Sequence, residues 1–186
     1  MNLLFYSIYF LWFISEVLLN RLIRSGKSDK KAKDKNTEIY LWMAVVFTIT
    51  ISVYISAAYP TLVLCNDKIK LIGLIIIVLG VIFRFIAIKQ LGRFFTVNVT
   101  IRNDHQLIQS GLYKYLRHPS YCGSLISFLG FGISLNNWLS IIFIIIPYSL
   151  AVMYRIKVEE KVLTEQFGKQ YLDYKKHTKR IIPFIY

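Results

Sequence analysis

Two groups of residues in this chain have side chains and spacing that could do chemistry. The first is Arg117-His118-Pro119-Ser120-Tyr121-Cys122-Gly123, a polar run at the threshold of an apolar stretch. The second is Arg155, Glu159 and Glu160, just beyond the last apolar stretch. Ionisable groups beside hydrocarbon are costly to keep, which makes them functional-site candidates by default. An arginine presents a fixed fork of donors to a carboxylate, and a tyrosine ring presents a face to a cation. Cys65 and Cys122 stand alone, without Cys-x-x-Cys spacing, and give no metal signal and little disulfide signal. The expectation is an integral membrane protein whose chemistry sits at the cytoplasmic surface.

The elements that must position these groups are apolar helices. The 186 residues suit a single domain, and 55% of them are hydrophobic, too many for an ordinary soluble domain. Several runs approach the roughly 20 residues that a helix needs to cross a bilayer. Five spans are predicted, over residues 3–22, 39–59, 69–88, 119–135 and 138–154. Pro60 stops the second, and Asn136-Asn137 makes the last two a tight antiparallel hairpin. The first run has no basic residue before it and no small-residue cleavage pattern after it, so it is read as a retained helix rather than a signal peptide.

The formal charge of +13 raises the question of nucleic acid, and its placement answers against it. Of the 23 Lys and Arg residues, all but Lys68, Lys70 and Arg84 fall within residues 21–35, 89–117 and 155–180. Alternate inter-span segments are thus basic, the positive-inside pattern, and no nucleic-acid reader motif accompanies the charge. Five spans then put the N-terminus outside and the tail in the cytoplasm. Residues 27–35 are expected as a solvated linker near anionic headgroups, and residues 92–116 as structured despite their polarity. In the tail, Val162, Leu163, Phe167, Tyr171 and Tyr174 follow helical spacing, which predicts a cytoplasmic amphipathic helix over 159–174. The fold class is all-α.

Taken in order, the motifs of the C-terminal half resemble those of the isoprenylcysteine carboxyl methyltransferase family and its phospholipid N-methyltransferase relatives. They are His105-Gln-Leu107-Ile108, Ser110-Gly111-Leu-Tyr113, Arg117-His118-Pro119-Ser-Tyr121-Cys-Gly123, Arg155-x-x-x-Glu159-Glu160, Phe167-Gly168-x-x-Tyr171-x-x-Tyr174 and Ile182-Pro183. They span about residues 92–186, while the N-terminal spans match only in being apolar. The resemblance implies methyl transfer from S-adenosyl-L-methionine, giving S-adenosyl-L-homocysteine, with no metal. It divides one domain into spans at 1–90 and a cofactor-binding, catalytic region at 91–186. Cofactor contacts carry over to His105, Leu107, Ile108, Tyr113, His118, Pro119, Tyr121 and Glu159. Arg155 falls on the substrate side, and Arg155 and Glu159 are the residues expected to carry catalysis. Arg102 is the candidate for one further polar contact upstream of His105. The short loop and small size suggest a prokaryotic member.

The implied acceptor is a lipophilic or lipidated molecule bearing a prenylcysteine-type carboxylate, which approaches through membrane lipid. A carboxylate is ionised at neutral pH and needs no strong base, whereas an amine acceptor must first lose a proton. A phosphatidylethanolamine-type N-methyltransferase is the alternative, disfavoured by a cation at Arg155. A sterol reductase needs more than five spans, and a non-catalytic membrane binding or scaffold protein is the remaining alternative. Plainer roles stand beside each assignment. Pro119 can simply open a helix and His118 cap it; Gly123, Gly130 and Gly132 can serve close helix packing. Arg155 and Glu159, four apart, can pair with each other. Glu160, about 100° around the helix from Glu159, can serve the fold. Phe167, Tyr171 and Tyr174 fit packing, and His177 fits solvent. Arg84 can snorkel to the membrane edge or face the bundle interior.

Overall fold

The computed structural model of the chain describes residues 3–22, 30–31, 37–95, 100–101 and 106–182. Its elements are α1 (Leu3–Leu22), β1 (Lys30–Lys31), α2 (Thr37–Ala58), α3 (Lys68–Leu91), β2 (Thr100–Ile101), α4 (Pro119–Ser134), α5 (Trp138–Phe167) and α6 (Lys169–His177). Among the described residues, three apolar helical runs are long enough to cross a membrane: Thr37–Ala58, Lys68–Phe94 and Trp138–Phe167. The apolar part of α1, Leu3–Leu19, is shorter, and α4 has 16 residues. Helix is the expected outcome for such runs, because in hydrocarbon every backbone polar group must be bonded within its own segment.

Glycines let α3 and α4 approach closely. A methyl group at Gly123 would lie 2.7 Å from the Arg84 amide nitrogen, and one at Gly130 would lie 2.6 Å from that of Ile77. Gly80 and Gly73 meet Ser127 and Ser134 from the α3 side. The packing role for Gly123 and Gly130 is therefore the observed one. Gly73 and Gly80, like Gly123 and Gly130, are spaced seven apart, so each pair lies on one face of its helix. Across the bundle, α2 and α5 exchange hydroxyl bonds to backbone: Ser140 Oγ donates to Ser52 O at 2.8 Å, and Ser52 Oγ to Ser140 O at 3.2 Å. Small side chains and hydroxyls hold these helices where burying apolar surface gains little over lipid. The core among them is Trp12, Leu74, Ile77, Phe128, Phe131, Ile144, Tyr148 and Val152.

The hairpin turn forms as predicted. Asn136 adopts a left-handed φ of 51°, and the Asn137 side chain caps α5 by accepting from Ser140 N at 3.0 Å. Both asparagines also bond the 59–67 connection: Asn136 Nδ2 donates to Cys65 O at 3.0 Å and Asn137 Nδ2 to Tyr59 O at 2.9 Å. These two connections share one end of the bundle, and the candidate chemistry lies at the other.

Two expectations need correction. α5 does not stop near residue 154, because no helix breaker intervenes until Gly168, which turns the chain at φ 51°. The stripe expected as one tail helix over 159–174 is thus split: Val162, Leu163 and Phe167 belong to α5, and Tyr171 and Tyr174 to α6. In the basic segment read as a solvated linker, Lys30–Lys31 pairs antiparallel with Thr100–Ile101. Arg84 turns inward, its Nη2 3.2 Å from Glu16 Oε2 on α1.

Candidate functional site

The site is assembled where α4 begins. Pro119 is the first residue of α4, with its fixed φ suited to that position. His118 occupies the capping position, yet its side chain makes no cap hydrogen bond. The imidazole instead lies between two carboxylates supplied by α5. Its Nδ1 is 3.9 Å from Glu159 Oε1 and its Nε2 is 3.6 Å from Glu160 Oε1. The α4 first turn contains no acidic residue of its own, so the positive end of its dipole is met by these carboxylates from α5.

Glu159 and Glu160 point to different partners, as neighbours on a helix must. Glu160 accepts from Arg117 Nε at 2.9 Å and from Arg180 Nη2 at 3.2 Å, with Lys175 Nζ 3.4 Å away. Its side chain is 5% exposed. The residues after α6 run alongside the entry to α4. Arg117 N donates to Lys179 O at 2.8 Å, His118 N to Arg180 O at 3.0 Å, and Lys179 N to Tyr115 O at 3.0 Å. Arg117 also donates through Nη1 to the carbonyls of Thr178 and Lys175. Glu160 therefore ties α5, the α4 entry and the tail into one ionic knot, the fold role anticipated for it.

Glu159 lies on the open side, its side chain 31% exposed. Tyr121 OH donates to Glu159 Oε2 at 3.1 Å and accepts from Arg155 Nε at 2.7 Å. The Tyr121 hydroxyl thus links Arg155 and Glu159. Arg155 is 3% exposed, and its Nη1 donates to Thr37 Oγ1 at 2.9 Å. Thr37, the first residue of α2, had no distinguishing signal in the sequence.

Tyr113 is buried below this group; its hydroxyl donates to Ala87 O at 3.3 Å, and Tyr174 OH donates to Tyr113 O at 2.6 Å. Burial, then the nearby Glu159 carboxylate, push the Tyr113 phenol well above its ordinary pKa, so it stays neutral. Burial does the same to Tyr171 and Tyr174, which pack as expected, although the Tyr171 hydroxyl is buried without a partner. Gln90 Oε1 accepts from Leu112 N at 2.8 Å and so orients the turn carrying Tyr113.

The structure therefore gathers Tyr113, His118, Pro119, Tyr121, Arg155 and Glu159. Leu107 and Ile108 are half-buried in the irregular segment leading to the Gly111–Lys114 turn. Their apolar side chains make no polar contact with the group. His105 and Arg102 lie outside the described residues. Among the described residues no cluster of three or more His, Cys, Asp or Glu could hold a metal ion.

The arrangement is suited to holding a ligand that bears both charge and aromatic surface. His118 turns Nδ1 toward the partly exposed Glu159, and the rings of His118 and Tyr121 lie 5.8 Å apart beside it.

The chain is similar to known proteins. Protein-S-isoprenylcysteine O-methyltransferase A of Arabidopsis thaliana is 37% identical over 115 residues, covering 61% of this chain and 58% of that protein. The protein-S-isoprenylcysteine O-methyltransferase of Saccharomyces cerevisiae is 36% identical over 116 residues, covering 61% of this chain and 48% of that one. A solved structure of the eukaryotic intramembrane Ras methyltransferase ICMT (isoprenylcysteine carboxyl methyltransferase) superposes with a TM-score of 0.67 at 28% identity, covering 97% of this chain and 65% of that chain. The chain spans about half the length of the curated relatives it matches. The family model for isoprenylcysteine carboxyl methyltransferases matches residues 71–165, from α3 through Glu159 and Glu160, and the chain belongs to that family.

Proposed function

We propose that the protein transfers a methyl group from S-adenosyl-L-methionine to the carboxylate of a lipophilic, prenylcysteine-type acceptor at the membrane. One observation carries this reading. Arg155, a buried cation, is joined through one tyrosine hydroxyl to Glu159, an accessible anion, beside His118. Glu159 presents an acceptor to the cofactor's ammonium or ribose hydroxyls, and His118 turns Nδ1 toward that same carboxylate. Tyr113 and Tyr121 supply aromatic surface, and Leu107, Ile108 and Pro119 supply apolar wall, with His105 completing the set. Bound there, S-adenosyl-L-methionine supplies an electrophilic methyl on a sulfonium.

Arg155 grips the acceptor carboxylate through its fork and fixes it for in-line displacement, so rate comes chiefly from orientation. An ionised carboxylate needs no base, which fits a site where burial holds the Tyr113 phenol neutral. An amine acceptor gains nothing from Arg155. The topology in this reading is five spans, α1 to α5, within one domain. The N-terminus lies outside, and the site and tail lie in the cytoplasm; a lipid tail enters from the bilayer.

The test uses purified protein in membranes with methyl-labelled cofactor. A prenylcysteine carboxylate should acquire base-labile label, and phosphatidylethanolamine should acquire none. Arg155→Ala should lower turnover at least tenfold while binding of S-adenosyl-L-homocysteine persists. Base-stable label on the phospholipid would replace this reading with N-methylation.

A further inference from the structure

The family match begins at residue 71, yet the site extends beyond it. Thr37 is 118 residues from Arg155, 1% exposed, and its Oγ1 accepts from Arg155 Nη1 at 2.9 Å. Arg155 Nε is committed on another edge to Tyr121 OH at 2.7 Å. A guanidinium is planar and its donors point in fixed directions. Two bonds on different nitrogens therefore set both the plane of the group and its rotation within that plane. A flexible, buried Arg side chain would otherwise have several rotamers open to it.

Tyr121 also bonds Glu159 on the cofactor side, so the same chain of bonds relates the orientation of Arg155 to that of Glu159. We propose that Thr37 is a positioning residue: its hydroxyl aims the Arg155 fork at the acceptor carboxylate, so α2 contributes to acceptor geometry without touching the acceptor. This rests on the proposed role of Arg155.

The hydroxyl is the group at issue, and valine replaces it with a methyl of nearly the same shape. In the full chain, Thr37→Val should lower kcat/KM for a prenylcysteine carboxylate by about ten- to a hundredfold. The Kd for S-adenosyl-L-homocysteine should stay within about twofold of the parent value, which also reports a folded site. Thr37→Ser, which restores the oxygen, should recover most of the lost kcat/KM. Combined with Arg155→Ala, Thr37→Val should add nothing further, because its effect runs through Arg155. Parent kinetics in Thr37→Val would overturn the proposal, as would a Thr37→Ser protein equally impaired, since packing rather than the hydroxyl would then be at work. Should Thr37→Val fail to bind cofactor, Thr37→Ala serves as the second variant; loss of binding in both makes the hydroxyl structural and also overturns it. Failure of the underlying reading is distinct: Arg155→Ala would then itself leave acceptor kinetics unchanged.

Discussion

Glu159 and Glu160 are adjacent in sequence and meet opposite sides of His118, and the contrast separates structure from function. On the Glu160 side, three cations converge on one buried carboxylate and bind the tail to the α4 entry. On the Glu159 side, one hydroxyl donor and an imidazole face a carboxylate that remains open to solvent. A carboxylate saturated by fixed cations has little capacity left for a ligand. One that is partly satisfied and accessible can accept a new partner without dismantling the fold. His118 lies between them, placed by the Glu160 knot and available to the Glu159 side.

The largest expected effect comes from breaking the knot. Glu160→Ala leaves Arg117, Lys175 and Arg180 facing one another with no anion, and removing one member of a buried pair costs about 3–5 kcal/mol. Thermal unfolding in detergent should show a marked drop in Tm. Next comes Glu159→Ala, which should weaken S-adenosyl-L-homocysteine binding about tenfold or more in calorimetric titration while Tm barely moves. An equal loss of Tm in both variants would erase the distinction between the two sides.

Tyr121→Phe removes the hydroxyl shared by Arg155 and Glu159 and keeps the ring. It should lower turnover about tenfold and cost about 1 kcal/mol of stability, measured by kinetics and denaturation together. The smallest change is Arg180→Lys, which keeps one of the charges on Glu160 but loses its planar fork. A stability loss under about 1 kcal/mol with unchanged cofactor affinity would sharpen the view that the Glu160 side is structural.

Much of the architecture was legible in the chain. The ends of α1, α2 and α4 fell within a few residues of expectation, and the Asn136-Asn137 hairpin formed as read. The motif residues Tyr113, His118, Tyr121, Arg155 and Glu159 converge in space. What was not legible is as specific. The end of α5 was misjudged because polarity was taken for a helix end, whereas a helix leaving the membrane needs a breaker such as Gly168 to stop. The inward turn of Arg84 depended on Glu16, which nothing in its own neighbourhood marked as a partner.

The sequence by itself determined where most of the helices lie and which residues carry the charged motifs. Those are consequences of hydropathy, helical period and loop charge, all local in the chain. Only the tertiary structure decided that Glu160 would be saturated and Glu159 left open, or that Thr37 would reach Arg155. Such choices depend on how closely helices approach, which glycine and serine contacts across α3, α4, α2 and α5 set together. A bond between residues 118 positions apart has no local signature; it exists because the packing of the whole bundle brings those two ends together.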